Sequence, residues 1–134
     1  MFRLTVQSRQ RMELIDITSQ IQNLVVQQKI ASGACLIFVP HTTAGVFLNE
    51  NADPDVERDI LSFLSRLVPH QGSYAHREGN SDAHIKAALT GTSVMVPIAQ
   101  GRLELGTWQG IYFAEFDGPR RRQVIVSFLQ PLTP

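Results

Sequence analysis

Between residues 92 and 129, four short apolar segments follow one another with glycine-containing turns between them. Most apolar residues in these segments (92–98, 102–105, 111–116 and 123–129) are β-branched or aromatic, which favours strands over helices. Strands in direct succession, without helices between them, are typical of antiparallel sheets. This part of the chain therefore restricts it to a sheet-rich fold.

The residues before this stretch supply further strands and three helices. Strands are predicted over residues 2–8, 12–16, 34–39 and 45–49, helices over 16–33, 53–69 and 81–91, and a tail over 130–134. Asp16 or Thr18 can cap the first helix and Gly33 can end it. Asp53, followed by Pro54, marks the start of the second helix.

These elements predict an α+β fold. We expect segment 34–39 to be a central buried strand with 45–49 as its neighbour, because 34–39 is apolar on both faces. Segments 2–8 and 12–16 are expected to form a hairpin, and residues 117–121 a further hairpin turn. The predicted architecture is a mostly antiparallel two-sheet sandwich with two longer helices and one short helix.

Length, charge and cysteine content restrict the class of protein. A chain of 134 residues predicts a single domain over residues 1–134. Twelve basic and twelve acidic side chains cancel, so the overall charge attracts neither nucleic acid nor an anionic membrane. The one cysteine, Cys35, is expected to be a core residue and indicates a reducing compartment. No apolar run has the length of a signal-peptide core or a membrane span, so we expect a cytoplasmic protein that binds no membrane and no nucleic acid.

The segment VPHTTAGVFLNEN carries polar groups that a plain turn does not need. His41, Thr42 and Thr43 directly follow a buried strand, where functional groups collect on sheet scaffolds. Asn49 and Glu50 end the next strand, and antiparallel pairing would place them at the far end from His41. We therefore expect His41 and the two threonines to line a pocket. Asn49 and Glu50 would join it only if a neighbouring subunit or another loop supplies the missing wall.

Three further histidines lie downstream. His70 and His76 belong to the polar loop 70–80, and His84 follows Asn80 by four residues on the third helix. Loop and helix histidines can converge on a metal, although the spacing of His76 and His84 matches no zinc motif. The alternative is that His84 is a helix-surface residue and His70 a turn residue.

Two later motifs also have two interpretations. Gly106 allows a close backbone approach, and Trp108 with Gln109 can form either a packed corner or a ligand platform. Arg120 and the two arginines after it either belong to a solvated turn or bind phosphate oxygens through their guanidinium groups.

The passage SVMVPIAQGRLELGTWQGI resembles the signature of the YjbQ-like family. PHTTAGVFLNENADPDV, the segment containing His76, Asn80 and His84, and the late E-x-D-x-P-R-R agree with that resemblance, which covers roughly residues 5–129. Secondary thiamine-phosphate synthase activity is ascribed to this family, whose members are otherwise of uncertain role.

The resemblance implies a homotrimer of α+β sandwich subunits with a polar cleft that binds a small phosphorylated metabolite. It implies a divalent metal, with zinc as the ion and magnesium as the alternative for a diphosphate substrate. The implied metal ligands are His41, His76 and His84, and the implied catalytic residues are His41, Glu50 and His84. The implied substrate-binding residues are Thr42, Thr43, Asn49, Asn80, Gly106, Trp108, Gln109 and Arg120.

Three functions are compatible with these expectations. The first is a synthase that joins hydroxymethylpyrimidine diphosphate to thiazole phosphate with loss of pyrophosphate, which requires stabilisation of the leaving group. The second is a trimeric metal- or metabolite-binding protein without turnover. The third is a metal-assisted phosphoester hydrolase in which Glu50 acts as the base.

Overall fold

The structure is a computed structural model that describes residues 1–132. Its strands are β1 (Phe2–Gln7), β2 (Glu13–Asp16), β3 (Gly33–Phe38), β4 (Ala44–Glu50), β5 (Ser93–Ala99), β6 (Arg102–Leu103), β7 (Gln109–Glu115) and β8 (Arg121–Leu129). Its helices are α1 (Thr18–Gln27), α2 (Pro54–Leu67) and α3 (Ser81–Thr90). The predicted tail falls partly outside the described residues, which end at 132.

All strand pairs are antiparallel and form two sheets. The larger sheet has five strands in the order β1-β8-β3-β5-β6, and the smaller has three in the order β2-β7-β4. The prediction of an α+β fold with a mostly antiparallel two-sheet sandwich is confirmed. β3 lies at the centre of the larger sheet, also as predicted.

Three predicted neighbour relations are wrong. β3 and β4 lie in different sheets, as do β1 and β2, and residues 117–121 connect β7 to β8 across the two sheets instead of forming a hairpin. After β3, Pro40 offers no amide to a ladder, and the chain crosses to the smaller sheet before β4 begins. A connection between sheets and a hairpin turn have similar length and composition, so the strand pattern does not distinguish them.

The core lies in two layers on either side of the smaller sheet. Between the sheets, Val46, Ile111 and Phe113 pack with Cys35 and Ile37 of β3, and each of these side chains is fully buried. On the other face, a second buried cluster comes from β2, from α3, and from β7 with the residue that follows it: Leu14, Ala83, Ala87, Tyr112, Ala114 and Phe116. β7 is therefore covered on both faces, and the prediction that Cys35 is a core residue is confirmed.

The helix ends follow the sequence only in part. The Asp53 carboxylate accepts the amide of Asp55 at 2.9 Å and caps α2, as predicted. Ile17, not Asp16 or Thr18, occupies the cap position of α1, although the Asp16 carboxylate accepts the Thr18 amide at 2.9 Å. α1 ends at Gln27, well before Gly33, which instead begins β3. α1 and α3 each have 10 residues, so only α2 is longer.

Two apolar surfaces stay uncovered by other elements of residues 1–132. No residue of α2 is fully buried, and its Phe63 and Leu67 are more than half exposed. On the outer face of the larger sheet, Phe38, Met95 and Leu129 are 41%, 55% and 47% exposed. None of the three helices is long and apolar enough to span a bilayer, over the residues described.

Candidate functional site

A cavity of about 910 Å³ opens between the β3–β4 connection, α3 and the segment that leads into β8. Six of the predicted site residues line it together: His41, Thr42, Thr43, Asn80, His84 and Arg120. Glu78, Arg122 and the turn at Gly91 and Thr92 complete the polar part of the wall, and Phe38 and Ala88 contribute apolar surface. The structure thus brings together groups that are about 80 positions apart in the sequence, because the β3–β4 connection and the start of β8 lie at the same end of the sandwich.

His41 is held by the backbone of β8. The last residue of β3 to pair with β8 is Phe38, opposite Ile125, so the amide of Gln123 has no strand partner on that side. His41 Nε2 accepts this amide at 3.0 Å. A neutral imidazole that accepts at Nε2 carries its proton at Nδ1, so His41 offers an N–H donor. Burial and the nearby charge of Arg122 hold the pKa of His41 below its ordinary value.

A buried ion pair lies directly behind the cavity. Arg122 donates through Nε to Glu115 at 2.9 Å, and its Nη2 donates both to Glu115 and to the Thr43 hydroxyl, the latter at 2.8 Å. The Ser8 hydroxyl donates to the same carboxylate at 2.6 Å. Burial raises the pKa of Glu115, but the hydrogen bonds from Arg122 and Ser8 outweigh it, and the pKa lies below its ordinary value. Sequence reasoning missed the role of Glu115, although it is the first residue of the E-x-D-x-P-R-R motif and a carboxylate inside the apolar segment IYFAEF.

Asp117 orients two of the predicted substrate-binding residues. Its carboxylate accepts the Asn80 side-chain amide at 2.9 Å and the Arg120 guanidinium at 3.0 Å. Arg120 is half exposed at the mouth of the cavity, and it donates a second bond to the backbone carbonyl of Asp117. Asn80 occupies the cap position of α3 but makes no side-chain cap bond: its Nδ2 donates to Asp117, and its buried Oδ1 has no hydrogen-bond partner among residues 1–132. Arg120 therefore stands preorganised with donors still free for a ligand.

α3 is fixed to the β1–β2 connection by a second buried ion cluster. Asp82, fully buried, accepts Arg11 at 2.9 and 3.0 Å and Lys86 at 2.7 Å. Lys86 is itself only 1% exposed, and its other neighbour is the Met12 sulfur at 3.5 Å. Burial raises the pKa of Asp82, yet the bonds from Arg11 and Lys86 bring the pKa down to about 2. This cluster positions the helix that carries Asn80 and His84, and nothing in the sequence pattern pointed to it.

His76 and His84 form a pair beside the cavity. Their ring centroids are 5.3 Å apart in a T-shaped arrangement, and His76 Nε2 lies 3.7 Å from the Glu78 carboxylate. A smaller cavity of about 410 Å³ adjoins this pair and shares His84 with the larger one. Within residues 1–132, no three histidine, cysteine or acidic side chains are arranged to hold a metal ion. His41, with Nε2 committed to the Gln123 amide, has no free lone pair for a metal in this arrangement.

The remaining predicted site residues lie at the other end of the smaller sheet. Glu50 stands opposite Gln109 and Asn49 opposite Gly110 in the β4–β7 register, while Ala44 at the cavity end stands opposite Glu115. Gly106 and Gln109 form a turn in which the Gly106 amide donates to the Gln109 side chain at 2.8 Å. Trp108 is 62% exposed, so it is not a packed corner of this chain. One chain therefore does not bring Asn49, Glu50, Gly106, Trp108 and Gln109 to the His41 cavity.

Similar proteins cover nearly the whole chain. The family model described as "UPF0047 protein YjbQ-like" matches residues 2–131. A UPF0047 protein of Methanocaldococcus jannaschii is 50% identical over 129 residues, covering 96% of this chain and 94% of that protein. The UPF0047 protein YugU of Bacillus subtilis is 46% identical over 127 residues, covering 94% and 96% of the two chains. The crystal structure of a YjbQ/UPF0047 protein from Clostridium acetobutylicum is 49% identical and superposes with a TM-score of 0.94, covering 96% of this chain and all of that one.

Proposed function

Because this chain belongs to the YjbQ-like UPF0047 family, we propose that its His41 cavity is an active site for phosphorylated metabolites and that the reaction is thiamine-phosphate synthesis. The observation that carries the proposal is the convergence of donors from three segments on one cavity. The imidazole N–H of His41, the Thr42 hydroxyl, the guanidinium of Arg120 and the ring of His84 all line it. A cavity of about 910 Å³ matches the size class of small-molecule sites.

The proposed reaction requires the protein to stabilise a diphosphate leaving group. The ring nitrogen of thiazole phosphate attacks the methylene carbon of hydroxymethylpyrimidine diphosphate, the carbon–oxygen bond breaks, and its electron pair leaves with the diphosphate. Negative charge grows on the departing oxygen, where fixed hydrogen-bond donors lower the barrier. We assign this role to His41 and Arg120, with Thr42 as a further donor at the same wall.

The divalent ion that the resemblance implied, zinc or magnesium, would need side chains to move, because no three donors among residues 1–132 are arranged to hold one. His76 and His84 form the histidine pair beside the cavity, with Glu78 next to them, whereas His41 is bonded through Nε2. Such an ion would neutralise diphosphate charge. If an ion binds together with the substrate, His76 and His84 are the residues that would hold it, and His41 keeps its role as a donor to the substrate.

The assay of the purified chain with both substrates tests this proposal. Wild-type protein is expected to form thiamine phosphate and pyrophosphate, and Arg120→Ala to lower kcat/KM about 10- to 100-fold, since hydrogen bonds to charged groups contribute about 1.5–3 kcal/mol. Arg121→Ala is the matched control, because Arg121 is exposed and lies outside the cavity lining. If the wild-type protein binds both substrates without forming product, the chain is a metabolite-binding protein and the synthase assignment is wrong.

We also propose that the active form is a homotrimer in which a neighbouring subunit places one end of its smaller sheet, the end that carries Trp108, against the His41 cavity. Two uncovered apolar surfaces support this proposal, one on α2 around Phe63 and one on the outer face of the larger sheet around Phe38 and Met95. Phe38 also lines the His41 cavity, so a subunit docked on that sheet face would sit beside the site. This arrangement would give Asn49, Glu50 and Gln109 a place in the site that one chain does not provide.

Phe63→Asp is expected to convert the trimer to monomers, because it places a charge in an apolar interface. Light scattering coupled to size exclusion measures the mass directly. Ser62→Asp adds the same charge one residue away, on the polar side of α2, and is expected to leave the trimer intact. A wild-type protein that elutes as a monomer at micromolar concentration would rule the proposal out.

A further inference from the structure

A fully buried carboxylate in an apolar strand needs a physical reason, and Glu115 is such a group. Every residue from Gly110 to Phe116 is buried, and Glu115 is 0% exposed. Burying an ionised carboxylate is costly unless its lone pairs are used. Glu115 uses them on four donors that come from the Ser8 hydroxyl, the Asp117 amide and two nitrogens of Arg122.

Arg122, which is bonded to Glu115, also bonds the segment that carries His41. Its Nη2, which also donates to Glu115, donates to the Thr43 hydroxyl at 2.8 Å and to the Thr43 carbonyl at 3.3 Å. The same carbonyl accepts the Phe116 amide at 3.2 Å. Thr43 is thereby tied to the end of β7 and to the start of β8 at once.

A second bridge joins the same two segments one residue further along β8. Gln123, which follows Arg122, donates its amide to His41 Nε2, and His41 precedes Thr43 by two residues. Both contacts, Arg122 to Thr43 and Gln123 to His41, join the β3–β4 connection to the start of β8. A shift of the Arg122 backbone therefore displaces the Gln123 amide as well. The orientation of the His41 ring therefore depends on a strand position that the Glu115–Arg122 pair defines.

We propose that Glu115 is a positioning residue for His41: acting through Arg122, it holds the Gln123 amide where it keeps His41 as a single Nδ1–H tautomer facing the cavity. This inference rests on the proposed function for its catalytic meaning, but its geometric content is independent of any activity. The charged and titratable groups around His41 are Arg122, Arg120, Glu78 and His84, which line the cavity, and Glu115, which lies buried behind it. Of these, only Glu115 is bonded to Arg122.

Long-range proton–nitrogen NMR of the imidazole nitrogens in the full chain tests this directly. Wild-type His41 is expected to show a protonated Nδ1 and an unprotonated Nε2. Glu115→Gln keeps the shape but removes the charge that orients Arg122, and it is expected to abolish the single tautomer. Glu13→Gln is the matched control, since Glu13 stands opposite Glu115 on the neighbouring strand β2 and makes no bond to Arg122.

Unchanged imidazole signals in a folded Glu115→Gln variant would overturn the proposal. If that variant does not fold, Arg122→Lys decides, because a lysine keeps the positive charge beside Glu115 but cannot make the paired guanidinium bonds that fix Arg122 against it. A mixed His41 tautomer in Arg122→Lys supports the positioning role of Glu115, and the wild-type spectrum in that variant contradicts it.

Activity supplies a separate readout. In an active chain, Glu115→Gln is also expected to lower kcat by up to about 100-fold, as small displacements of a catalytic group do. Absence of synthase activity in the wild type would refute the proposed function but leave the tautomer result standing.

Discussion

Replacing Asp82 with asparagine is expected to lower the free energy of unfolding by about 3–5 kcal/mol, the range seen when one partner of a buried ion pair is removed. Asp82 is fully buried and is the carboxylate partner of both Arg11 and Lys86. Asparagine keeps one oxygen acceptor but no charge, so the Lys86 ammonium, 1% exposed, loses its counter-ion in the buried cluster. Urea denaturation monitored by circular dichroism measures the loss.

Asp55→Asn is the control for that substitution. Asp55 pairs with Arg58 at 2.8 Å, but both side chains are more than 70% exposed, and exposed pairs contribute about 0–1 kcal/mol. The Asp82 pair also predicts a pH dependence. Because the folded pKa of Asp82 is lowered to about 2 from 3.8, its contribution is present above pH 3.8 and is lost as the pH falls toward 2. Equal losses in the two variants, or an unaltered acid profile in Asp82→Asn, would show that the cluster does not fix α3.

His41→Ala is expected to lower kcat/KM of the proposed synthase about 100- to 1,000-fold, the cost of removing one preorganised donor to a developing oxyanion. The ring lines the cavity, and its Nε2 bond to the Gln123 amide leaves Nδ1–H as the group available to a diphosphate oxygen. Steady-state kinetics with both substrates at pH 7.5 measures the effect.

His70→Ala serves as its control. His70 lies in the exposed loop before α3, outside the cavity lining, where its Nε2 contacts the Gly79 carbonyl at 3.0 Å. It is expected to retain wild-type kinetics. If His41→Ala retains the kcat/KM of the wild-type protein, His41 is not a catalytic residue.

The sequence predicts the elements of the fold better than their arrangement. Apolar alternation and turn residues identify strands and helices because these signals are local. Which sheet a strand joins depends on how the chain runs after residues such as Pro40, where a crossing between sheets looks like a hairpin turn. The pairing of β4 with β7, and of β8 with both β1 and β3, follows from packing that no local pattern encodes.

For the candidate site too, the sequence identifies some residues and not others. His41, Asn80, His84 and Arg120 stand out as polar groups at element ends, and the structure places all four on one cavity. Glu115 could not be assigned, since its role depends on Arg122 reaching it from another strand. A charged residue inside an otherwise apolar strand indicates that a buried side chain of opposite charge neutralises it, but the sequence does not identify that side chain.

Titration of isotopically labelled protein with inorganic pyrophosphate tests most directly where the site lies. Binding at the proposed site predicts that the signals of His41, Thr42, Thr43 and the start of α3 shift together along one saturation curve. Arg120→Ala is expected to raise the dissociation constant obtained from that curve, and Arg121→Ala is expected to leave it unchanged. Shifts confined to the Trp108 end of the smaller sheet, or no saturable shift at all, would contradict the assignment of the His41 cavity as a site for phosphorylated metabolites.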